Sequence, residues 1–206
     1  MRILVTNDDG INSLGLRALI KGLQDLGDIT VVAPDREQSG VGASFTLHQP
    51  VRLKKIHSRG IKKYTVNGTP GDAVIIALNH ISKDTPFDVV VSGINQGTNL
   101  GTDVFLSGTV GAAMHGHLRG IPSIAISMPL RKRLKWATGA AVARKLVSEI
   151  NSQKENYASV LLNVTVPNVP LEKLEGVDIT NLRPSSSQLE ITSGNDGRSD
   201  YYWISV

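Results

Sequence analysis

The sequence predicts an α/β protein that is built on a mostly parallel sheet and ends in a C-terminal hairpin or arm. Short apolar runs without polar alternation, at residues 3–5, 29–33 and 88–91, are typical of strands that are buried on both faces. Segments with apolar residues at helical spacing lie between those runs, and strands that alternate with helices favour a parallel sheet. A hairpin signal, Asn-Asp-Gly at residues 195–197, stands near the end of the chain.

The opening of the chain predicts a strand, a helix and a second strand. After the strand at 3–5, apolar residues recur at the spacing of one helix face, namely Leu16, Leu19, Ile20, Leu23 and Leu26. Gly27 is expected to end this helix, because glycine is the common residue just beyond a helix C-terminus. The second strand, at 29–33, stops at Pro34.

The rest of the chain continues this alternation. We predict a long loop at 35–50, a strand pair at 51–53 and 64–66, a helix capped by Thr69 or Asp72, a strand at 88–91 and a glycine-rich loop at 92–101. We then predict a helix of small residues that begins at 107–109, a strand at 121–126, a helix with its apolar stripe from Trp136 to Ile150, a strand at 159–164, and hairpin strands at 188–192 and 201–204.

The composition excludes several classes of protein. The chain contains no cysteine, which excludes disulfides, zinc–thiolate sites and a cysteine nucleophile. No apolar run approaches the roughly 20 residues of a membrane helix, and no signal peptide is recognisable at the N-terminus. We therefore expect a cytoplasmic protein without a membrane partner. The aromatic content of 4% argues against a protein that stacks single-stranded bases.

The net charge of +4 comes largely from two basic clusters. One consists of Lys54, Lys55, Arg59, Lys62 and Lys63, and the other of Arg131, Lys132, Arg133 and Lys135. Either cluster could attract an anionic substrate or nucleic acid. A solvated surface is the simpler interpretation of such clusters.

Two adjacent carboxylates, Asp8 and Asp9, follow the first predicted strand directly. In open α/β sheets ligands bind beyond the carboxyl ends of the strands. Neighbouring carboxylates repel each other unless a cation or a shared proton neutralises part of their charge. The pattern therefore predicts a divalent metal with oxygen ligands, although a simple turn whose carboxylate caps the first helix would give the same sequence.

Two further loops should open at the same edge of the sheet. They contribute Ser39 and Asn95, whose oxygen atoms suit Mg²⁺ or Mn²⁺ better than zinc. Ser107, Gly108 and Thr109 stand at a helix start, where backbone N–H groups and the helix dipole favour an anion. Taken singly, Ser39 is an ordinary loop serine, Asn95 a turn residue and Ser107 an N-cap. Their convergence with the carboxylates predicts a metal beside a phosphate site, which is the arrangement of phosphoester hydrolysis.

Five segments, in order from residue 1 to about 127, resemble the motifs of the SurE survival-protein family. They are residues 3–10 (ILVTNDDG), 33–40 (APDREQSG), 68–72 (GTPGD), 92–101 (SGINQGTNLG) and 107–110 (SGTV). This resemblance implies a Rossmann-like three-layer fold, with a catalytic domain over 1–166 and an arm over 167–206 that is exchanged between subunits of a dimer or tetramer. One departure is Leu106, where many members carry a tyrosine that is credited with stacking on the base.

The resemblance also implies an activity and a set of site residues. The activity is a metal-dependent nucleotidase that removes phosphate from nucleoside 5′-monophosphates, with 3′-monophosphates and short polyphosphate accepted by some members. The implied ligands of one Mg²⁺ or Mn²⁺ ion per subunit are Asp8, Asp9, Ser39 and Asn95. The implied substrate contacts are Gly40, Asn95, Ser107, Gly108 and Thr109.

Three questions stay open at this point. The nucleophile is either a water that the metal activates, with Asp8 or Asp9 taking its proton, or Asp8 itself. The alternative to an enzyme is a non-catalytic nucleotide or RNA binder, although carboxylates repel phosphate unless a cation intervenes, so we expect no stable nucleic acid partner. A dinucleotide-binding enzyme is disfavoured because Asn-Asp-Asp-Gly replaces the glycine-rich fingerprint after the first strand.

Overall fold

The computed structural model describes residues 1–58, 60–184 and 190–205. Seven strands form one sheet in the order β3-β4-β2-β1-β5-β6-β7. Their bounds are Arg2–Thr6 (β1), Asp28–Pro34 (β2), Leu53–Ile56 (β3), Lys62–Val66 (β4), Val89–Gln96 (β5), Ser123–Met128 (β6) and Leu161–Thr165 (β7). The β3–β4 pair is antiparallel and the other neighbouring pairs are parallel. The mostly parallel sheet confirms the predicted fold class.

Helices cover both faces of this sheet and make the fold a three-layer one. The α-helices of the described residues are Leu14–Leu23 (α1), Pro70–Ile76 (α2), Gly108–His117 (α3) and Trp136–Ser152 (α4). Ile3 and Val5 of β1 belong to the core cluster that includes residues of α1 and α4, while Leu4 belongs to the cluster that includes residues of α2 and α3. All three side chains are fully buried. A strand that is covered on both faces has a continuous apolar sequence, which is why apolar and polar residues do not alternate in β1.

Polar side chains fix the starts of three helices. Ser13 accepts a hydrogen bond from the backbone N–H of Leu16 at α1, and Ser107 accepts one from Val110 at α3. At α2 both predicted candidates take part, because Thr69 is the N-cap and Asp72 bonds back to it in a capping box.

Several strand bounds differ from the prediction. The strand pair expected at 51–53 and 64–66 instead joins Leu53–Ile56 to Lys62–Val66. Two lysines fill the missed part of each strand, and β3 is the exposed edge strand of the sheet, where no apolar pattern is needed. The strands expected at 121–126 and 159–164 each begin two residues later.

The largest correction concerns β5, which we expected to end at residue 91. The strand continues to Gln96, with a register shift between Ser92 and Asn95 where it pairs with β6. Ser92 and Ile94 are fully buried in this extension. The polar and glycine-rich composition of 92–96 resembles a loop, but its backbone pairs with β6, and so Asn95 lies on a strand.

The C-terminal arm contains an antiparallel hairpin of β8 (Glu190–Asn195) and β9 (Asp200–Ser205). The expected first strand covered 188–192, of which 188 and 189 lie outside the described residues, as does Arg59 of the first basic cluster. In the turn, Asp196 Oδ1 accepts hydrogen bonds from the N–H groups of Arg198 and Ser199. Every residue of β9 is exposed. Among the described helices, none has the length and apolar character that a membrane span requires.

Candidate active site at the carboxyl ends of strands β1 and β5

The candidate site lies where the strand order of the sheet reverses. From β1 the chain passes to β2 on one side, and β5 pairs with β1 on the other. The crevice beyond such a switch point is the usual ligand site of an open α/β sheet. Asp8 and Asp9 follow β1 at this point, and Asn95 lies near the end of β5.

Asn7 shapes the turn that carries the two aspartates. Its side-chain nitrogen donates to the carbonyl oxygen of Gly10 at 3.1 Å and to Ser13 Oγ at 2.8 Å. Gly10 has a φ of 92°, which a side chain would strain. The backbone of Ile11 then bonds to the carbonyl oxygen of Pro34 at 2.9 Å, which ties the turn to the end of β2.

Asp8 is buried against the start of α3. Its Oδ1 accepts a hydrogen bond of 2.5 Å from Thr109 Oγ1, and its carboxylate also accepts one from the Thr109 N–H. A Cβ atom at Gly108 would lie 2.8 Å from Asp8 Cβ and 3.2 Å from the carbonyl oxygen of Gln38. Glycine is therefore required at 108 because three segments approach one another there. Burial raises the pKa of Asp8, and the hydrogen bonds from Thr109 oppose that rise.

Asp9 is partly buried and lies close to the end of β5, where its carboxylate accepts a hydrogen bond from the N–H of Gln96. Burial raises its pKa to about 7, and the negative charges of Asp8 and Glu37 act in the same direction. The two carboxylates therefore destabilise each other when both are ionised.

Residues next to the other two predicted metal ligands contact this pair. The N–H of Gln38, next to Ser39, donates to the carbonyl oxygen of Asp8 at 2.8 Å. Ser39 is exposed, and its hydroxyl donates to Glu37 Oε1 at 2.7 Å. The amide nitrogen of Asn95 donates to the carbonyl oxygen of Gly97 at 2.8 Å, which leaves its Oδ1 as the oxygen for a cation. The neighbours of Ser39 and Asn95 thus contact Asp8 and Asp9, as the convergence of strand ends predicts.

The predicted phosphate-side residues fall into two groups. Ser107, Gly108 and Thr109 form the cap and first turn of α3, although the Thr109 hydroxyl and N–H are directed at Asp8. Gly40 is exposed and directly follows Ser39, with a φ of 74° and nothing within 4 Å of the position of a Cβ atom. Its glycine is required by the backbone conformation rather than by a close approach.

A divalent metal fits the charges and the donors of this site. The ion pairs of the described residues join Arg144 to Asp25 and Lys154 to Asp88, so no cationic side chain neutralises Asp8 or Asp9 there. Carboxylate, hydroxyl and amide oxygens are the donors that Mg²⁺ and Mn²⁺ prefer. Within the described ranges no group of three His, Asp or Glu side chains could hold a metal. Ser39 and Asn95 are the candidate side-chain oxygen donors beside the two carboxylates.

Sequence reasoning missed Glu37 and Gln38 in this site. Glu37 influences both aspartates electrostatically and holds the Ser39 hydroxyl, while Gln38 contacts Asp8 and Gly108 through its backbone. Both lie within the loop that the sequence singled out. Any residue at position 38 could make the same backbone contacts, so the sequence gives no signal for them. Only the position of Gln38 beside Ser39 could have indicated that it belongs to the site.

The fold and the site define an α/β protein with a candidate metal- and anion-binding site at the switch point of a mostly parallel sheet. Residues 3–188 match the family model described as "Survival protein SurE". The proteins named "5'-nucleotidase SurE" from Dehalococcoides mccartyi strain BAV1 and from Legionella pneumophila are 44% and 43% identical to the chain. Each match covers 99% of this chain, with 78% and 79% of the respective relatives covered.

A solved structure supports the same assignment. The SurE protein from Aquifex aeolicus superposes with a TM-score of 0.82 at 35% identity, which covers 100% of this chain and 82% of that one. The chain belongs to the SurE survival-protein family.

Proposed function

We propose that this protein is a divalent-metal-dependent phosphomonoesterase that releases phosphate from nucleoside 5′-monophosphates. One observation carries the proposal, namely the contact between the Asp8 carboxylate and the first turn of α3. Thr109 Oγ1 donates to Asp8 Oδ1 at 2.5 Å. The two carboxylates, whose negative charges no cationic side chain of the described residues neutralises, therefore lie next to a helix N-terminus that favours anions. A phosphate can share this space with two carboxylates only when a cation lies between them. The names of the relatives, 5'-nucleotidase SurE, support the same activity.

The residues have distinct roles in this proposal. Asp8, Asp9, Ser39 and Asn95 would hold one Mg²⁺ or Mn²⁺ ion per subunit. When bound, the cation would polarise a phosphoryl oxygen and lower the pKa of a water that attacks phosphorus. The Gly108 N–H, the cap at Ser107 and the Gly40 loop would orient the phosphate oxygens.

Asp9 is the better candidate for the group that takes the proton. The Asp8 carboxylate is buried and engaged by both the hydroxyl and the N–H of Thr109, which disfavours Asp8 as a nucleophile. Asp9 is more accessible than Asp8, because its side chain is only partly buried beside the end of β5.

The C-terminal arm, residues 167–206, is proposed to exchange between subunits, while residues 1–166 form the catalytic domain. Support comes from the exposed apolar surface of the hairpin, where Ile191, Tyr202, Trp203 and Ile204 are each about two-thirds exposed. Isolated surface residues of this kind need no explanation, but an apolar cluster on two paired strands indicates a partner. We propose a second copy of this chain in a dimer, or a tetramer, in the cytoplasm.

The experiment is phosphate release from AMP and GMP by the purified chain, with Mn²⁺, Mg²⁺ or EDTA. Wild-type protein should turn over both nucleotides only with a metal, and Asp9→Asn should lose at least about a hundredfold in kcat/KM. Asp84→Asn is the matched control, because Asp84 is an exposed aspartate outside the site. Wild-type protein that binds nucleotides but releases no phosphate with any divalent ion would refute the proposal and favour a non-catalytic binder.

A further inference from the structure

The connection between β2 and β3, residues 35–52, carries two proposed site residues without regular secondary structure. Keeping such a loop in one conformation costs backbone entropy, so specific contacts must hold Ser39 and Gly40 in place. Backbone bonds of 2.8 Å anchor its start, from Asp35 N–H to the carbonyl oxygen of Val66 and from Gln38 N–H to that of Asp8. A second set of contacts holds residues 42–46. We name the side chains of Thr69, Asp72 and His115 that make these contacts the loop clasp.

Asp72 is the centre of the loop clasp. Its Oδ1 accepts the backbone N–H of Thr46 at 2.8 Å, and its Oδ2 accepts the Thr46 hydroxyl at 2.7 Å and the N–H of Thr69 at 2.9 Å. The side chain is buried. The capping box of α2 accounts for the bond to Thr69, but not for the two bonds to Thr46, which lies 26 residues earlier in the chain.

The other two clasp residues hold the same segment by its carbonyl oxygens. Thr69 Oγ1 donates to the carbonyl oxygen of Ser44 at 2.8 Å, and His115 Nε2 lies 2.9 Å from that of Ala43. Two glycines permit this close approach. A Cβ atom at Gly71 would lie 2.6 Å from the carbonyl oxygen of Ser44, and one at Gly111 would lie 2.3 Å from that of Gly42. Residues 42–46 are therefore held tightly against α2 and α3.

We propose that Asp72 is a positioning residue for the metal- and phosphate-binding loop. Through Thr46 it holds residues 42–46 against the helices, and the short chain from Gln38 to Gly42 is then held at both ends. Gly42 N–H adds a bond of 2.9 Å to the carbonyl oxygen of Leu106, directly before the phosphate-side cap Ser107. Asp72 thus acts on Ser39 and Gly40 at a distance and touches neither of them. This inference rests on the proposed function of those two residues.

The test compares Thr46→Val and Asp72→Asn with wild-type protein. Thr46→Val removes one hydroxyl contact and leaves the α2 cap intact, which guards against a variant that simply fails to fold. Amide hydrogen exchange is followed at Gln38 and Gly42, whose N–H groups bond to Asp8 and Leu106 and not to Asp72. Loss of a hydrogen bond to a buried carboxylate should raise exchange at both amides about tenfold. KM for AMP and the Mn²⁺ dissociation constant should rise by about the same factor, with kcat changed by less than about threefold.

Thr138→Val is the matched control, since Thr138 Oγ1 donates to the carbonyl oxygen of Val169 at 2.8 Å, away from the loop. It should leave exchange at Gln38, KM and Mn²⁺ affinity unchanged. Unchanged exchange at Gln38 in both clasp variants would overturn the proposal, and so would faster exchange with unaltered KM and Mn²⁺ affinity. If wild-type protein released no phosphate, the proposed function would fail, while exchange together with Mn²⁺ titration would still decide the role of Asp72.

Discussion

Replacing Asp9 by Asn should stabilise the metal-free protein at alkaline pH. Burial and the charges of Asp8 and Glu37 raise the pKa of Asp9 from 3.8 to about 7 in the folded chain. The folded state therefore binds a proton that the unfolded state releases, and stability falls as the pH rises from 3.8 through about 7. Above pH 7 the full cost of the ionised carboxylate is present in the folded protein.

The size of this effect follows from the same values. A change from 3.8 to about 7 corresponds to at most about 4 kcal/mol, at about 1.4 kcal/mol per pH unit. Asp9 is partly exposed, and solvent screening reduces this to about 2 kcal/mol. For a chain of this size, about 2 kcal/mol raises the melting temperature by roughly 4–8 °C. Asparagine keeps an oxygen that can accept the N–H of Gln96, so the loss of a hydrogen bond does not offset the gain.

The assay is thermal unfolding in EDTA at about pH 8 and about pH 5, with Asp84→Asn as control. Asp9→Asn should melt higher than wild-type protein at about pH 8 and by a smaller margin at about pH 5, where Asp9 is neutral in the folded state but ionised in the unfolded state. Added Mn²⁺ should stabilise wild-type protein and have much less effect on the variant. An Asp9→Asn protein that is no more stable than wild type at about pH 8 in EDTA would refute this account of the carboxylate pair.

Three further predictions concern the metal, the phosphate side and the arm. Chelation should abolish phosphate release while circular dichroism stays unchanged, whereas unfolding in EDTA would indicate a structural metal. Gly108→Ala should destabilise the folded protein by about 1–3 kcal/mol and lower kcat/KM, because the added Cβ would lie 2.8 Å from Asp8 Cβ. Gly176→Ala is the control and should change neither stability nor kcat/KM, since nothing lies within 4 Å of its Cβ position. Trp203→Ser should weaken self-association at least about tenfold in sedimentation equilibrium. Leu118→Ser, at a similarly exposed residue, should not weaken it. Equal association of both variants would contradict the proposed role of the arm.

Much of the fold was predictable because β1, β2 and α1 obey simple rules. Strands buried on both faces are uniformly apolar, and α1 shows one apolar face and a serine cap. The extension of β5 through Asn95 was not predictable in this way. The polar residues of this extension lie at the candidate site, while its backbone still pairs with β6. A polar, glycine-rich sequence predicts a loop, so periodicity does not indicate this strand pairing.

The site itself was predictable only at the level of loops. The position of Asp8 and Asp9 after β1 indicated a ligand edge, and neighbours of Ser39 and Asn95 do contact the two aspartates. The direction of the Thr109 hydroxyl and N–H toward Asp8 was not predictable, because a residue in the first turn of a helix can face either way. The bonds from Asp72 to Thr46 join distant segments, and neither spacing nor composition records such a contact.

The most direct test of the central claim is the location of Mn²⁺ by anomalous diffraction from crystals of the wild-type protein soaked in manganese. The account predicts one strong peak per subunit at the carboxyl ends of β1 and β5, bound by oxygen atoms of Asp8, Asp9, Ser39 and Asn95. The same crystals of Asp9→Asn should show a weak peak or none. A peak in wild-type protein that is bound elsewhere, with Asp8 and Asp9 making no contact to the ion, would contradict the account.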